Sequence, residues 1–381
     1  MKFTVSQKIL CAALARIQGI AVARATMPIL ANVLLCASGL RPVLHVTASD
    51  LEVSYSTVID CTSIDEHGSI TVPAKKLYEV VKAAPTGEIL FTLDADNLRL
   101  TVCAGTYVAI LAGYEADGFP VITPVSGDDL QLDGAALLRL IDHVDYAQSS
   151  DETKYNLAGT FLKIVDSDDD CRLHAVSTDG HRLAADSVPL PGAPRLIPAD
   201  LLRGIIVPRK GISELKKIKA EGVLVLQISG NNLSVSTDNE LIHLRLIDGQ
   251  FPDYGRIFPT EFLGTVETNH LPLIDALQRV QLLSSGKEHP VTLEFVSGAV
   301  HLKSKNVELG EACDKVSAAI EWHDDSVEGY SRRVNAAYLI QALSAMDAGL
   351  VQIKLPGLHA PLLLAPICET EPCAVVMSMR D

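Results

Sequence analysis

The chain has 381 residues, more than one hydrophobic core usually organises, so roughly two to four domains are expected. With 48% apolar and 21% charged residues it has a globular composition, which excludes a disordered chain. A formal net charge of -15 argues against a generic nucleic-acid binder, whose balance is typically basic.

The first segment, MKFTVSQKILCAALARI, is broken by Gln7 and Lys8, and its short apolar run ends at Arg16 with no cleavage-like site, so it does not read as a signal sequence. No later segment approaches the roughly 18 to 20 apolar residues of a membrane helix. The reading is a soluble, unexported, cytoplasmic protein with no membrane partner. Eight cysteines, at 11, 36, 61, 103, 171, 313, 368 and 373, form no C-x-x-C pair and no Cys/His cluster at zinc spacing. They read as reduced thiols, and no metal site is predicted. There is no G-x-x-x-x-G-K-[ST] loop, so neither ATP nor any other cofactor is expected.

Taken in chain order, the elements repeat three times. Phe3, Leu10, Leu14 and Ile17 are matched by Leu130, Leu137, Ile141 and Val144, then by Val266, Leu273, Leu277 and Val280, at offsets of 127 and 136 residues. The last three positions of each set follow helical spacing, so each reads as an amphipathic helix entered from a short strand. LHVTASDLEV from Leu44, LHAVSTDGHRL from Leu173 and VHLKSKNVEL from Val300 are alternating strands running into polar turns, with His45, His174 and His301 at one repeat position. TVPAKKLYEVVKAAP from Thr71 matches IVPRKGISELKKIKA from Ile206, and RVNAAYLIQALSAM from Arg333 is a weaker third copy. Each unit reads strand, helix, strands, helix, strands, which makes the fold α+β with domains at 1-125, 126-255 and 256-381.

The segment STDGHRLA, Ser177 to Ala184, crowds hydroxyls, a carboxylate, an imidazole and a guanidinium together. A hydrolase using His181 with Asp179 is one reading. Its first-repeat counterpart keeps Ser49 and Asp50 but has no histidine or arginine after them. Short polar side chains that bond their own backbone account for what the copies share, so the segment is predicted to be a turn and the chain not an enzyme.

On the second helix of the first repeat Leu77, Val81 and Ala84 point inward, with Lys75 and Lys82 opposite. In the second repeat Ile212, Leu215 and Ile218 point inward, with Lys210 and Lys217 outward at the same repeat positions and Lys76, Arg209, Lys216 and Lys219 alongside. Ala337 and Ser344 hold those positions in the third repeat, where Arg332 and Arg333 begin the helix; the first helices offer Lys8, Arg16, Arg139 and Arg279 on less consistent faces. Lysines recurring at equivalent places define a basic surface that attracts phosphates within an acidic protein. No base-reading motif accompanies them, so duplex DNA binding would be sequence-independent.

The order MKFTV, MPILANVLL, TVPAKK, STDGHRLA, IVPRKG, DGQFPDY and VVMSMR resembles the bacterial sliding clamp, the β subunit of DNA polymerase III, over essentially the whole chain. The resemblance implies a non-enzymatic homodimer: a ring of two chains and six domains with helices inside and sheets outside, encircling DNA and tethering the polymerase for processive synthesis. It carries DNA contacts to Arg24, Lys75, Lys76, Tyr155, Arg209 and Lys210, to which the repeat adds Lys82 and Lys217. It also implies a cleft that captures short linear peptides of the polymerase III catalytic subunit, the clamp loader and other polymerases or repair proteins. The matching residues are Leu157, Thr178, Gly180, His181, Arg182, Leu183, Pro252, Arg256, Ile257, Val375, Met377 and Met379, with Arg182 offered to the rim. Val375, Met377 and Met379 also read as alternate residues of a terminal strand. Departures are Asp151 and Asn156 where the family often has a neutral polar residue and an aromatic, Ser378 in place of a proline, and a strand TYVAILAG without interface arginines. Glu308, Glu311 and Asp314 would then stand uncompensated on the partner edge, and closure would rest on Val108, Ile110, Leu111, Leu282 and Leu283. A divergent accessory clamp or peptide-binding scaffold with weakened closure is the alternative.

Overall fold

A computed structural model describes the chain apart from residues 22–26, 40, 121–124, 126, 152, 168–169, 191–196, 219–221, 285, 287–288, 324–329, 347–348, 358–359, 368–370 and 380–381. Arg24 and Lys219 therefore lie outside the described residues. The first repeat runs β1 (Lys2–Ser6), α1 (Gln7–Ile17), β2 (Asn32–Ser38), β3 (Val43–Ser49), β4 (Val53–Asp60), β5 (Ser63–Glu66), β6 (Gly68–Pro73), α2 (Ala74–Ala83), β7 (Glu88–Asp94), β8 (Arg99–Ala104) and β9 (Tyr107–Ala112). The second follows as β10 (Asp129–Asp133), α3 (Gly134–Asp142), β11 (Gly159–Ser167), β12 (Asp170–Thr178), β13 (Arg182–Pro189), a short α4 (Ala199–Arg203), β14 (Ile205–Pro208), α5 (Arg209–Leu215), β15 (Val223–Ser229), β16 (Asn232–Ser236) and β17 (Glu240–Arg245). The third comprises β18 (Phe262–Asn269), α6 (His270–Val280), β19 (Pro290–Val296), β20 (Ala299–Asn306), β21 (Gly310–Trp322), β22 (Tyr330–Asn335), α7 (Ala336–Ala345), β23 (Leu350–Pro356), β24 (Leu362–Pro366) and β25 (Cys373–Val376).

The apolar spacing does what it dictates: Leu10, Leu14 and Ile17 of α1, Leu77 and Val81 of α2, and Leu273, Leu277 and Val280 of α6 are all buried. α4 was not foreseen, and α5 ends earlier than the lysine spacing implied. With Gly211 inside it and Ile212 branched at Cβ, α5 has low propensity and closes at Leu215, so Lys217 sits in the following turn.

The chain condenses into two compact units rather than three. The first is Met1–Ala135 with Pro194–Asp200 and Ser213–Leu246; the second is Ala136–Ala193 with Leu201–Ile212 and Ile247–Asp381. The reason lies in the strands. In the first unit an eight-stranded sheet runs β10-β15-β16-β17-β4-β3-β2-β6, so β17 of the second repeat pairs with β4 of the first, Ile242 opposite Tyr55. In the second unit a twelve-stranded sheet runs β14-β11-β12-β13-β25-β24-β23-β18-β21-β20-β19-β22, so β13 of the second repeat pairs with β25 of the third, Leu183 opposite Val375. Each half of the second repeat is stitched to a different neighbour by backbone hydrogen bonds. A five-stranded sheet, β5-β1-β7-β8-β9, completes the first unit around the stacked rings of Phe3 and Phe91, 4.8 Å apart.

The seven described cysteines are free. Burial pushes the Cys61 thiol up to about 11, and burial with Glu371 and Asp186 nearby pushes Cys373 up to about 12. At pH 8 both stay protonated, so an alkylating reagent is expected to label Cys61 and Cys373 only after denaturation; mass spectrometry of the labelled native chain tests this.

Candidate peptide cleft and basic helices

The crowded turn is a repeated structural device. Asp179 Oδ1 accepts from the backbone N–H groups of His181 (2.9 Å) and Arg182 (3.1 Å), while Thr178 Oγ1 accepts from Gly180 N–H and donates to Arg182 O at 2.6 Å. Asp50 Oδ1 does the same for Glu52 and Val53, and Asn306 Oδ1 for Glu308 and Leu309. Gly180 and its counterpart Leu51 both adopt positive φ, 91° and 77°. Asp179 thus serves the backbone and Arg182, and among the described residues the exposed His181 ring makes no hydrogen bond to its carboxylate. This is turn chemistry, not a nucleophile and its base.

Around that turn the second unit assembles the residues of the predicted cleft. Leu183 of β13 and Val375 of β25 face each other across the junction and are fully buried, with Phe161, Val176, Ile206, Phe251 and Ala365 in the same cluster. Phe161 and Phe251 stack at 4.8 Å, and Tyr254 meets both edge-on. Leu157, Ile257, Phe258 and Leu363 pack on this floor while keeping some exposure. Met377 donates its N–H to His181 O at 3.0 Å, tying the C-terminal strand to the turn, and its side chain is 44% exposed. Met379 N–H is bonded to Arg333 O, and Lys154 Nζ reaches Asp179 O at 3.2 Å. Pro252 and Arg256 are exposed, Arg256 paired with Asp253 at 2.8 Å. The sequence expectation is thereby divided: Leu183, Val375 and Thr178 form buried support, whereas Leu157, Ile257, Met377, Met379, Pro252, His181 and Arg256 present surface.

Arg182 does not stand at the rim. Its side chain is 10% exposed, bonded through Nε to Asp179 Oδ2 (3.1 Å), through Nη2 to Tyr146 O (2.7 Å) and through Nη1 to Gln341 Oε1 of α7. Its guanidinium lies 4.4 Å from the Tyr338 ring centroid and 5.4 Å from that of Tyr146. A planar fork between two aromatic faces fixes the turn against α7. Tyr146, Tyr338, Gln341, Phe161 and Phe251 were missed by sequence reasoning; only the aromatic content of DGQFPDY signalled any of them. Ser378, at the proline position, forms a bridge with Val334 and buries its Oγ without a hydrogen-bond partner among the described residues.

The basic residues are placed as follows. Lys75, Lys76 and Lys82 stand exposed on α2, Lys76 paired with Glu79 at 2.7 Å and Lys82 5.4 Å from the Tyr78 ring. Arg209 is exposed and Lys210 half-buried at the start of α5; Tyr155 is exposed, and Lys217 is held by Glu214 at 2.6 Å. Among the described residues no cluster of metal-ligating side chains occurs and no helix is long and apolar enough to cross a membrane.

Family models for the N-terminal, central and C-terminal domains of the DNA polymerase III beta subunit match residues 1–123, 131–253 and 255–380. The chain belongs to the beta sliding clamps. It is 32% identical over 389 residues to the beta sliding clamp of Caulobacter vibrioides and 31% over 384 residues to that of Pseudomonas putida, each alignment covering all of both chains. The crystal structure of the C. crescentus clamp superposes with a TM-score of 0.91 at 30% identity, and that of the Pseudomonas aeruginosa clamp bound to griselimycin with 0.91 at 28%, again over the full length of both. The clamp is thus built from three clamp domains of mixed helix and sheet, and it is a non-catalytic processivity factor of DNA replication. Its family implies DNA, a polymerase and a second clamp chain as partners.

Two substitutions probe this site. Arg182→Met removes the fork and takes the donor from Asp179 Oδ2, Gln341 Oε1 and the Tyr146 carbonyl, so denaturant titration is expected to show a loss of about 2–3 kcal/mol. Ser378→Ala removes a buried, unbonded hydroxyl and is expected to raise stability by up to about 1 kcal/mol in the same assay.

Proposed function

We propose that two copies of the clamp, each with domains at 1-125, 126-255 and 256-381, close head to tail into a six-domain ring around duplex DNA in the cytoplasm. The observation that carries this reading is the strand pairing at the two junctions inside the chain. β4 pairs with β17 and β13 pairs with β25, in both cases the third strand after a repeat's first helix joined to the last strand of the next repeat. The remaining members of the two series are β21 and β9. β9 is the edge of its sheet, and Gly310 to Val316 of β21 pair only with β20, so each has an open side among the described residues. An open edge is a template for another strand, and a head-to-tail contact that closes makes a ring.

The surfaces support that pairing. On β9, Val108 and Ile110 are exposed and Leu111 is half-buried; beside β21, Leu282 is 75% exposed with Leu283 half-buried next to it. The acidic charges of β21 are compensated within the chain, Glu311 by Lys305 and Asp314 by Arg279, each at 2.7 Å. An apolar β9 without arginines is suited to such a neutralised edge.

Inside the ring, Arg24, Lys75, Lys76, Lys82, Tyr155, Arg209, Lys210 and Lys217 would meet phosphates without reading sequence, so that topology rather than affinity retains the clamp. Short linear peptides of the polymerase III catalytic subunit, the clamp loader and other polymerases or repair proteins would dock their apolar anchors on the Leu157, Ile257 and Met377 surface. No cofactor takes part.

A clamp loaded on nicked circular DNA should be retained and should be lost once the circle is cut; retention indifferent to DNA ends overturns the ring. Met377→Asp should weaken binding of a clamp-binding polymerase peptide at least tenfold by fluorescence anisotropy while the dimer persists. Unchanged affinity would place the peptide elsewhere.

A further inference from the structure

Glu79 of α2, Glu214 of α5 and Gln341 of α7 occupy one repeat position, set 135 and 127 residues apart like Lys75, Lys210 and Ala337. Two of the three are occupied at a junction. In the first unit Arg16, in the last turn of α1, lies 5.0 Å from the Tyr55 ring centroid and donates Nη2 to the Glu214 carbonyl at 2.9 Å. In the second unit Arg182 reaches Gln341. At both, a guanidinium of one repeat meets this helix position of the next, beside the paired strands.

The third member, Glu79, meets Lys76 of its own helix and its side chain is 44% exposed. The third-repeat counterpart of Arg16 is Arg279, reached through His143 by offsets of 127 and 136. In the second repeat His143 turns instead to Asp186, 2.7 Å away, and Arg182 takes over the contact to α7. Arg279 keeps its arginine fork, lies 61% exposed in the last turn of α6, and among the described residues pairs only with Asp314.

We infer that Arg279 of one chain and Glu79 of the other form the third such contact, a polar latch beside the β9–β21 pairing between two copies. The inference rests on the ring reading above. The charges alternate along the latch: Asp314 and Arg279 from one copy, Glu79 and Lys76 from its partner. A side-chain hydrogen bond from Lys76 holds Glu79 below the usual carboxylate range, and one from Arg279 does the same for Asp314, so both are ionised at neutral pH. A guanidinium carrying one carboxylate still has donors free for a second.

The test is a double-mutant cycle on the full chain: Glu79→Gln, Arg279→Gln and both together, with dimer dissociation constants from sedimentation over a dilution series at low and high salt. Each single variant should raise the constant about two- to fivefold at low salt, the double variant no further than either single, with the difference shrinking at high salt. Asp314→Asn, which breaks only the contact within the chain, should leave the coupling between Glu79 and Arg279 in place. Two penalties that multiply in the double variant overturn the latch and leave the ring standing, as long as the wild-type chain dimerises. A wild-type chain that stays monomeric overturns both. Glu79 and Arg279 are exposed and Asp314 is half-buried, and unchanged melting temperatures would confirm that folding is not what is read.

Discussion

The rest of this clamp depends on one interaction: backbone hydrogen bonding between strand edges of neighbouring repeats. β17 satisfies its edge on β4 and β25 satisfies its edge on β13, and those two pairings decide how the chain condenses. They explain why three sequence repeats yield two compact units, since the halves of the middle repeat are claimed by different neighbours. They also position the floor of the proposed cleft, because Leu183 and Val375 stand opposite each other on β13 and β25.

Charge is handled locally in the same way. A chain of net charge -15 carries exposed lysines on α2 while Glu79, Glu214 and Glu311 each bind a nearby lysine. Short-range compensation leaves the long-range field acidic, which disfavours loose association with polyanions, while Lys75 and Lys82 point outward from α2 to act at contact distance.

Much of this was legible in the sequence, and the limits are physical. The helix spacing of Leu10, Leu14 and Ile17 recurs as real helices because local periodicity reports burial directly. The turn at Asp179 was legible because Asp50 repeats it, and the backbone N–H groups bonded by each aspartate carboxylate lie two and three positions further on. The end of α5 was not, since the lysine spacing continues past the point where the helix stops. Arg182 was misplaced at the rim because Tyr146 and Tyr338 are 36 and 156 residues away in sequence, and nothing in the GHRL segment announces that two rings will enclose it. The partner edge on β9 and β21 was named only through the family resemblance, because a strand's own sequence does not say which side of it will be paired.

The enclosure of Arg182 also shapes how the cleft discriminates. A guanidinium that donates through Nε, Nη1 and Nη2 within the chain, is already paired with Asp179 and lies against two tyrosine rings is largely withheld from a ligand's carboxylate. In the proposed cleft the apolar floor would therefore sort incoming segments by side-chain volume and fit more than by a charge at its centre.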